Sequence, residues 1–287
     1  MSVKQKTVAF HDGRTAPQLG VGVWQIPDHD TAPVIEVALK VGYRSIDTAA
    51  IYGNEVGVGK GIARAGIPRE ELFVATKLWN DRHGHDSTRA AFMESLEKLG
   101  LDYVDLYLIH WPVPKVGMYV DAWEAMIQLR DEGLAKSIGV CNFNIHHLQK
   151  LLDKTGVLPV VNQIELHPRF QQAELREFHA EHDIVTEAWS PLGRGHLWND
   201  PTLSAIATKH GRSVAQVMIR WHTQLGNMVI PKSVNPARLE ENYNVFDFQL
   251  DDDDMAQIAR LDRPDGRDGP DPELFRDLPT RRASASV

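Results

Sequence analysis

Asp47, Tyr52, Lys77 and His110 are the side chains in this sequence best suited to moving a proton. Asp47, Lys77 and His110 each stand at or just past the end of a short apolar run, at 43–46, 72–75 and 104–109, and Tyr52 follows the first run closely. Tyrosine, with an ordinary pKa of about 10, donates a proton at neutral pH only if a cation stabilises the phenolate left behind. Lys77 is the candidate cation. A carboxylate beside it, Asp47, would keep the amine charged and oriented, while His110 could hydrogen-bond a substrate oxygen and fix its direction. The set amounts to a general acid with supports, aimed at a carbonyl oxygen. A lone Lys or His at a strand end is more often a packing or surface residue, so the argument rests on the spacing of all four.

That spacing needs a scaffold that brings residues roughly thirty positions apart to one place, as the carboxyl ends of successive parallel strands do in a (β/α)8 barrel. Strand-like segments fall at 18–23, 44–46, 72–77, 104–110, 137–141, 160–164, 184–189 and 228–231, which makes eight. Between them lie helical patterns such as Val34, Ala38, Val41 and Phe92, Leu96, Leu99, and Gly42, Gly66, Gly100, Gly133, Gly156 and Gly211 stand where helices should end. Alternating strands and helices predict an α/β fold with a parallel sheet, a (β/α)8 TIM barrel. Two-helix stretches at 201–210 with 213–224, and at 236–243 with 252–261, add two extra helices to the repeat. The acidic run 251–254 reads as a helix start, where negative charge faces the positive end of the helix dipole. Asp12-Gly13, a turn signal within 7–18, predicts an N-terminal β-hairpin cap outside the barrel. Residues 263–287, rich in Pro, Asp and Arg, predict an irregular C-terminal segment that could fold over a barrel mouth through Phe275.

The chain of 287 residues is expected to form a single domain, 1–287. Its 31 Lys+Arg against 39 Asp+Glu give a net charge of -8 without a basic block, which argues against nucleic acid or anionic membrane as partners. With no apolar leader or span and one cysteine, Cys141, the expectation is a soluble, cytoplasmic monomer.

Longer motifs then become specific. Asp47-Thr48-Ala49-Ala50-Ile51-Tyr52-Gly53-Asn54-Glu55, Lys77 within Ala75-Thr76-Lys77-Leu78-Trp79, and His110 within Asp105-Leu106-Tyr107-Leu108-Ile109-His110-Trp111-Pro112 resemble the aldo-keto reductase signatures. Gly139-Val140-Cys141-Asn142-Phe143, Asn162-Gln163-Ile164-Glu165, Trp189-Ser190-Pro191-Leu192-Gly193 and Ile230-Pro231-Lys232-Ser233 follow in the family's order. The resemblance runs from about residue 18 to residue 261 and is strongest to the bacterial branch that includes 2,5-diketo-gluconate reductases. It implies NADPH-dependent reduction of aldehydes and ketones, with Tyr52 as proton donor, Asp47 and Lys77 as its tuning pair and His110 orienting the carbonyl. No side chain can supply hydride, so a nicotinamide cofactor, NADPH/NADP+, agrees with the chemistry. The resemblance also implies that Cys141, Asn142 and Gln163 lie at the nicotinamide carboxamide and that Trp189 stacks on the ring. It places Ser190, Leu192 and Gly193 at the pyrophosphate, and Lys232, Ser233, Val234 and Arg238 at the adenosine 2′-phosphate. Glu241 and Asn242 would lie near the adenine. Trp24, Trp79 and Trp111 fall at pocket positions, implying small carbonyl substrates that include dicarbonyls, keto-sugars and aromatic aldehydes; no metal is expected.

Other features are read more plainly. Gly57-Val58-Gly59-Lys60-Gly61 imitates a phosphate loop but fits no nucleotide-binding spacing, so it reads as close helix packing. His83-Gly84-His85 imitates a metal pair and reads as a solvated loop. Cys141 replaces the serine more usual in its motif, and nothing in the sequence marks it as a reactive thiol. Two rival functions remain open at this point: a redox sensor that holds NADPH with negligible turnover, and an aldolase forming a Schiff base on Lys77.

Overall fold

The computed structural model describes residues 5–275. It opens with an antiparallel hairpin, β1 (Thr7–Ala9) and β2 (Thr15–Pro17), in which Asp12 and Gly13 occupy the connecting loop. Eight strands follow: β3 (Val21–Gly22), β4 (Ser45–Asp47), β5 (Phe73–Leu78), β6 (Val104–Ile109), β7 (Ala135–Cys141), β8 (Val161–Glu165), β9 (Val185–Trp189) and β10 (Met228–Val229). They pair in parallel and in sequence order.

The outermost strands are shorter than their apolar runs suggest, because closure of the barrel draws on backbone beyond them. Gly20 N–H donates to Val229 O at 2.9 Å, Val229 N–H to Gln18 O at 2.9 Å, and Gly22 N–H to Pro231 O at 3.3 Å, so 18–22 joins 229–231 and completes the ring. A side chain at Gly22 would place Cβ 3.0 Å from Ile230 O, which leaves little room for anything but glycine at the seam.

Helices α1 (Asp28–Val41), α2 (Glu55–Ala65), α3 (His85–Leu99), α4 (Tyr119–Asp131), α5 (Ile145–Thr155) and α6 (Ala173–Glu181) each connect one strand to the next. Between β9 and β10 lie α7 (Pro201–His210) and α8 (Val214–Gln224), and after β10 come α9 (Pro236–Tyr243) and α10 (Asp252–Ala259), which provide the two expected extra helices. The acidic run works as a cap: Asp251 Oδ1 accepts the Asp254 N–H at 2.9 Å, and Asp254 Oδ1 takes a hydrogen bond from Lys209.

Strand alternation divides the apolar side chains into two cores. Val74, Leu78, Tyr107, Ile109, Val140, Ile164 and Ala188 point outward and pack with the helices, whereas Phe73, Ala75, Leu106, Leu108, Val161 and Met228 fill the barrel from its amino end. The hairpin closes that end, with Phe10 edge-on to Phe73 at 6.2 Å and Ser137 Oγ donating to Asp12 Oδ2 at 2.6 Å. The carboxyl ends of the strands stay on the opposite face. Packing outside the barrel is close where the glycine-rich segment lies within α2: a Cβ at Gly57 would sit 2.3 Å from Asp28 O, and one at Gly59 2.1 Å from Leu99 O. Among the described residues, no helix is long and apolar enough to cross a membrane.

Candidate active site

Inward-facing positions become polar near the carboxyl ends of the strands. Asp47 is the last residue of β4, Lys77 lies in β5, Cys141 ends β7, Gln163 lies in β8 and Glu187 in β9, all buried. His110 immediately follows β6, and Tyr52 ends a short 3-10 turn, Ala50–Tyr52, closed by Gly53 in the left-handed conformation. The barrel thus delivers the four candidate residues from three adjacent strands and the turn after the first of them.

Lys77 is fully enclosed. Its ammonium donates to Asp47 Oδ1 at 2.7 Å, Asp47 Oδ2 at 2.6 Å and Thr48 O at 2.8 Å, so each of its three hydrogens has an acceptor. Burial alone would lower the Lys77 pKa, but Asp47 and Tyr52 reverse that and hold it above the ordinary lysine range. A charged amine with every hydrogen engaged cannot serve as the neutral nucleophile that a Schiff base requires, so the aldolase reading fails. Lys77 Nζ lies 5.2 Å from the Tyr52 ring centroid.

Burial raises the Tyr52 phenol above its usual pKa, Lys77 opposes the shift and Asp47 adds to it. Tyr52 therefore carries its proton at neutral pH, beside a cation that favours the phenolate once a proton is given up. His110 packs edge-on against Tyr52 at 5.7 Å and against Trp79 at 5.0 Å. Burial and then Lys77 push its pKa far below the usual histidine range, so the imidazole is neutral and acts as a hydrogen-bonding group rather than a charge. The Cys141 thiol is pushed well above its ordinary pKa by burial, which removes any case for a reactive thiolate.

Residues expected at a nicotinamide gather beside this set. Trp189 Nε1–H donates to Asn142 Oδ1 at 2.8 Å, and Asn142 Nδ2 donates to His110 O at 3.0 Å, tying the half-buried indole to the backbone of His110. Gln163 Nε2 donates to Asp47 Oδ1 at 3.0 Å and to Glu187 Oε2 at 2.8 Å. After β9 the chain turns sharply: Ser190, Gly193, Arg194 and Gly195 all have positive φ. Backbone bent in this way can turn N–H groups toward an anion. Farther round the mouth, Ser233 is buried, Lys232, Val234 and Arg238 are exposed beside the start of α9, and among the described residues neither cation forms an ion pair. Glu241 is partly buried and Asn242 buried on the same helix. Aromatic ring, bent loop and unpaired cations, in that order around the mouth, fit the ring, the pyrophosphate and a further phosphate of a dinucleotide.

Trp79 and Trp111 are joined by Phe275, at 6.3 and 4.3 Å between ring centroids, so the C-terminal segment lies over the mouth as far as it is described; residues 276–287 of the expected irregular segment lie outside the described residues. Trp24 is 43% exposed and lies under the Arg194 guanidinium, which also faces Trp189.

Sequence reasoning missed the groups that hold this segment. Glu165 accepts the N–H groups of Asp268 at 2.6 Å and Gly269 at 2.9 Å, and Gly269 passes so close to Trp189 that a Cβ there would lie 2.4 Å from the indole. Glu273 Oε1 accepts from Asn144 Nδ2 at 2.6 Å and lies 3.1 Å from His146 and 3.4 Å from His147. The His147 ring uses Nδ1 to accept the Asn144 N–H, which leaves its hydrogen on Nε2 on the side of Glu273. The reading of His83 as part of a solvated loop is corrected. Its ring is buried, which pushes its pKa down to about 4, whereas His85 is half exposed beside Asp86. The loop folds inward at His83, and alternating turn residues gave no sign of it.

Comparisons with known proteins agree with this geometry. The profile of the Aldo/keto reductase family matches residues 16–263. The chain is 54% identical over 270 residues to the methylglyoxal reductase DkgA of Escherichia coli K12, spanning 93% of this chain and 97% of that one. It is 55% identical over 269 residues to an aldo-keto reductase of Mycobacterium sp. strain KMS, with the same shares covered. Among solved structures, an aspartate-to-alanine variant of Gox0644 in complex with NADPH superposes with a TM-score of 0.93 at 54% identity, covering 96% of this chain and 100% of that one.

Proposed function

The chain belongs to the aldo/keto reductase family, and we propose that within it Tyr52 gives the proton when aldehydes and ketones are reduced to alcohols with NADPH. It is an NADP-dependent oxidoreductase acting on small carbonyl compounds. The observation that carries the role of Tyr52 is the enclosed Lys77 ammonium, held on Asp47 and facing the Tyr52 ring. Bound NADPH supplies the hydride.

The protein's own groups then divide the remaining work. His110, neutral and buried, hydrogen-bonds the carbonyl oxygen and sets its direction. As negative charge develops on that oxygen, Tyr52 releases its proton to it, and the phenolate left behind is stabilised by Lys77. Asp47 keeps Lys77 charged and in place. Asn142, Gln163 and Cys141 are assigned to the carboxamide, Trp189 to the nicotinamide face, and Ser190, Leu192 and Gly193 to the pyrophosphate. Lys232, Ser233, Val234 and Arg238 are assigned to the 2′-phosphate, where charge-assisted contacts favour NADPH over NADH, and Glu241 and Asn242 to the adenine. Trp79, Trp111 and Phe275 form the apolar wall that admits a substrate, with Trp24 at its outer edge.

The relative named methylglyoxal reductase supports small dicarbonyls among the substrates, with keto-sugars and aromatic aldehydes as further candidates. The reading includes a single-domain, cytoplasmic monomer without nucleic-acid or membrane partners; the excess of 39 acidic over 31 basic residues supports the exclusion of nucleic acid. NADPH oxidation measured against a panel of methylglyoxal, keto-sugars and aromatic aldehydes tests the proposal. Turnover of none of them would reject it.

A further inference from the structure

Asp47 and Glu187 are two carboxylates buried inside the barrel on either side of one amide, and the site holds one ammonium. Gln163 donates one amide hydrogen to Asp47 Oδ1 at 3.0 Å and the other to Glu187 Oε2 at 2.8 Å. Lys77 makes two short contacts to Asp47 and one to the Thr48 carbonyl, and it also hydrogen-bonds the Tyr52 side chain. Asp47 thus has its countercharge in direct contact, and Glu187 has a neutral amide. An uncompensated carboxylate in a water-poor interior is costly, so a second proton belongs in this cluster, and Glu187 is the group placed to keep it.

We propose that Glu187 is a positioning residue that stores this proton and, through Gln163 and the Asp47–Lys77 pair, sets how strongly Lys77 assists Tyr52. The titratable groups that face it are Asp47 from β4, Lys77 from β5 and Cys141 from β7; its sheet neighbours Gln163 on β8 and Met228 on β10 do not titrate. Cys141 keeps its proton at neutral pH, since burial raises the thiol well above its ordinary range. Burial, then the nearness of Asp47, raises the Glu187 carboxyl to about 7. Below that pH the interior charge is balanced, Lys77 against Asp47. Above it, the new negative charge competes for the Lys77 ammonium and weakens its hold on a Tyr52 phenolate, so proton donation becomes harder.

The inference rests on Tyr52 as donor, and the test separates the two. In the ligand-free wild type, the infrared C=O band of a protonated buried carboxyl should disappear as pH rises through about 7; Glu187→Gln and Glu187→Met should both lack that band. In turnover, wild-type kcat for carbonyl reduction should fall roughly tenfold across the same transition, the factor equal to one pKa unit on the donor, and the Glu187→Gln profile should lose that step. A band that persists in either folded variant, or a step that persists in Glu187→Gln, overturns the inference. Full turnover by Tyr52→Phe would instead overturn the donor assignment and leave the infrared result standing. The two neutral variants differ in polarity, so if one fails to fold, the other still decides.

Discussion

Lys77→Met tests the electrostatic core of the site, because the thioether roughly preserves the side chain's length and removes its charge. The variant deletes all three Lys77 hydrogen bonds and leaves the buried Asp47 carboxylate with Gln163 Nε2, a neutral donor at 3.0 Å. Breaking a buried pair from one side costs about 3–5 kcal/mol, a large share of the roughly 5–15 kcal/mol that holds a domain folded. The sign with pH follows from the raised Lys77 pKa. Its stabilisation is complete below the ordinary lysine value of about 10.4 and is lost only as pH climbs through the higher folded value, so the ionisation of Lys77 itself adds no pH dependence to the deficit in the neutral range. Urea denaturation followed by tryptophan fluorescence measures it. Asp47→Asn combined with Lys77→Met removes the stranded carboxylate and should recover part of the loss. Turnover should fall by about 10²–10⁴, the usual span for a general acid deprived of its support. A stability loss below about 1 kcal/mol, the size of an ordinary substitution, or a double variant no more stable than the single one, would refute the reasoning.

Gly59→Ala should lower stability by about 1–3 kcal/mol through overpacking, because its Cβ would lie 2.1 Å from the backbone oxygen of Leu99; an unchanged Tm would remove the packing explanation of this glycine-rich segment. Lys232→Met with Arg238→Met should raise KM for NADPH at least tenfold, since a charge-assisted contact contributes about 1.5–3 kcal/mol, and should leave KM for NADH nearly alone; equal effects would reject the 2′-phosphate assignment. Glu273→Ala removes the carboxylate that accepts the Asn144 side-chain hydrogen bond and lies beside His146 and His147. It should speed amide exchange over residues 268–275 and raise KM for aromatic aldehydes as Phe275 leaves Trp111, and unchanged exchange would count against a lid. The same segment should loosen in acid. Burial raises the Glu165 pKa, but His167 and the amides of Asp268 and Gly269 bring it below the ordinary value, so its anchoring is complete above that value and fades as pH falls through the lowered one.

The barrel was legible because its signals are local and repeated: an apolar run, an amphipathic stretch, a glycine, again and again. Strand ends were harder to read at the seam, where Gln18, Gly20 and Gly22 bond to residues about two hundred positions away, a pairing that no local pattern encodes. Asp47, Tyr52, Lys77 and His110 could be found because each sits at a position fixed by the strand it ends or follows. Glu187 was missed although alternation places it inward, two residues before Trp189; a carboxylate on an inward face was the available signal. Glu165 and Glu273 were beyond sequence reasoning, since their meaning depends on a C-terminal segment folding back about a hundred residues away from its partners. His83 misled for a similar reason: a polar residue between turn residues resembles a solvated loop until tertiary packing covers it.

The central claim is that Tyr52 supplies the proton. Steady-state NADPH oxidation with methylglyoxal, run beside NADPH binding followed by tryptophan quenching, compares wild type with Tyr52→Phe most directly. The account predicts that the variant binds NADPH nearly as tightly as wild type and loses turnover by about 10²–10⁴. Undiminished turnover by Tyr52→Phe would contradict it.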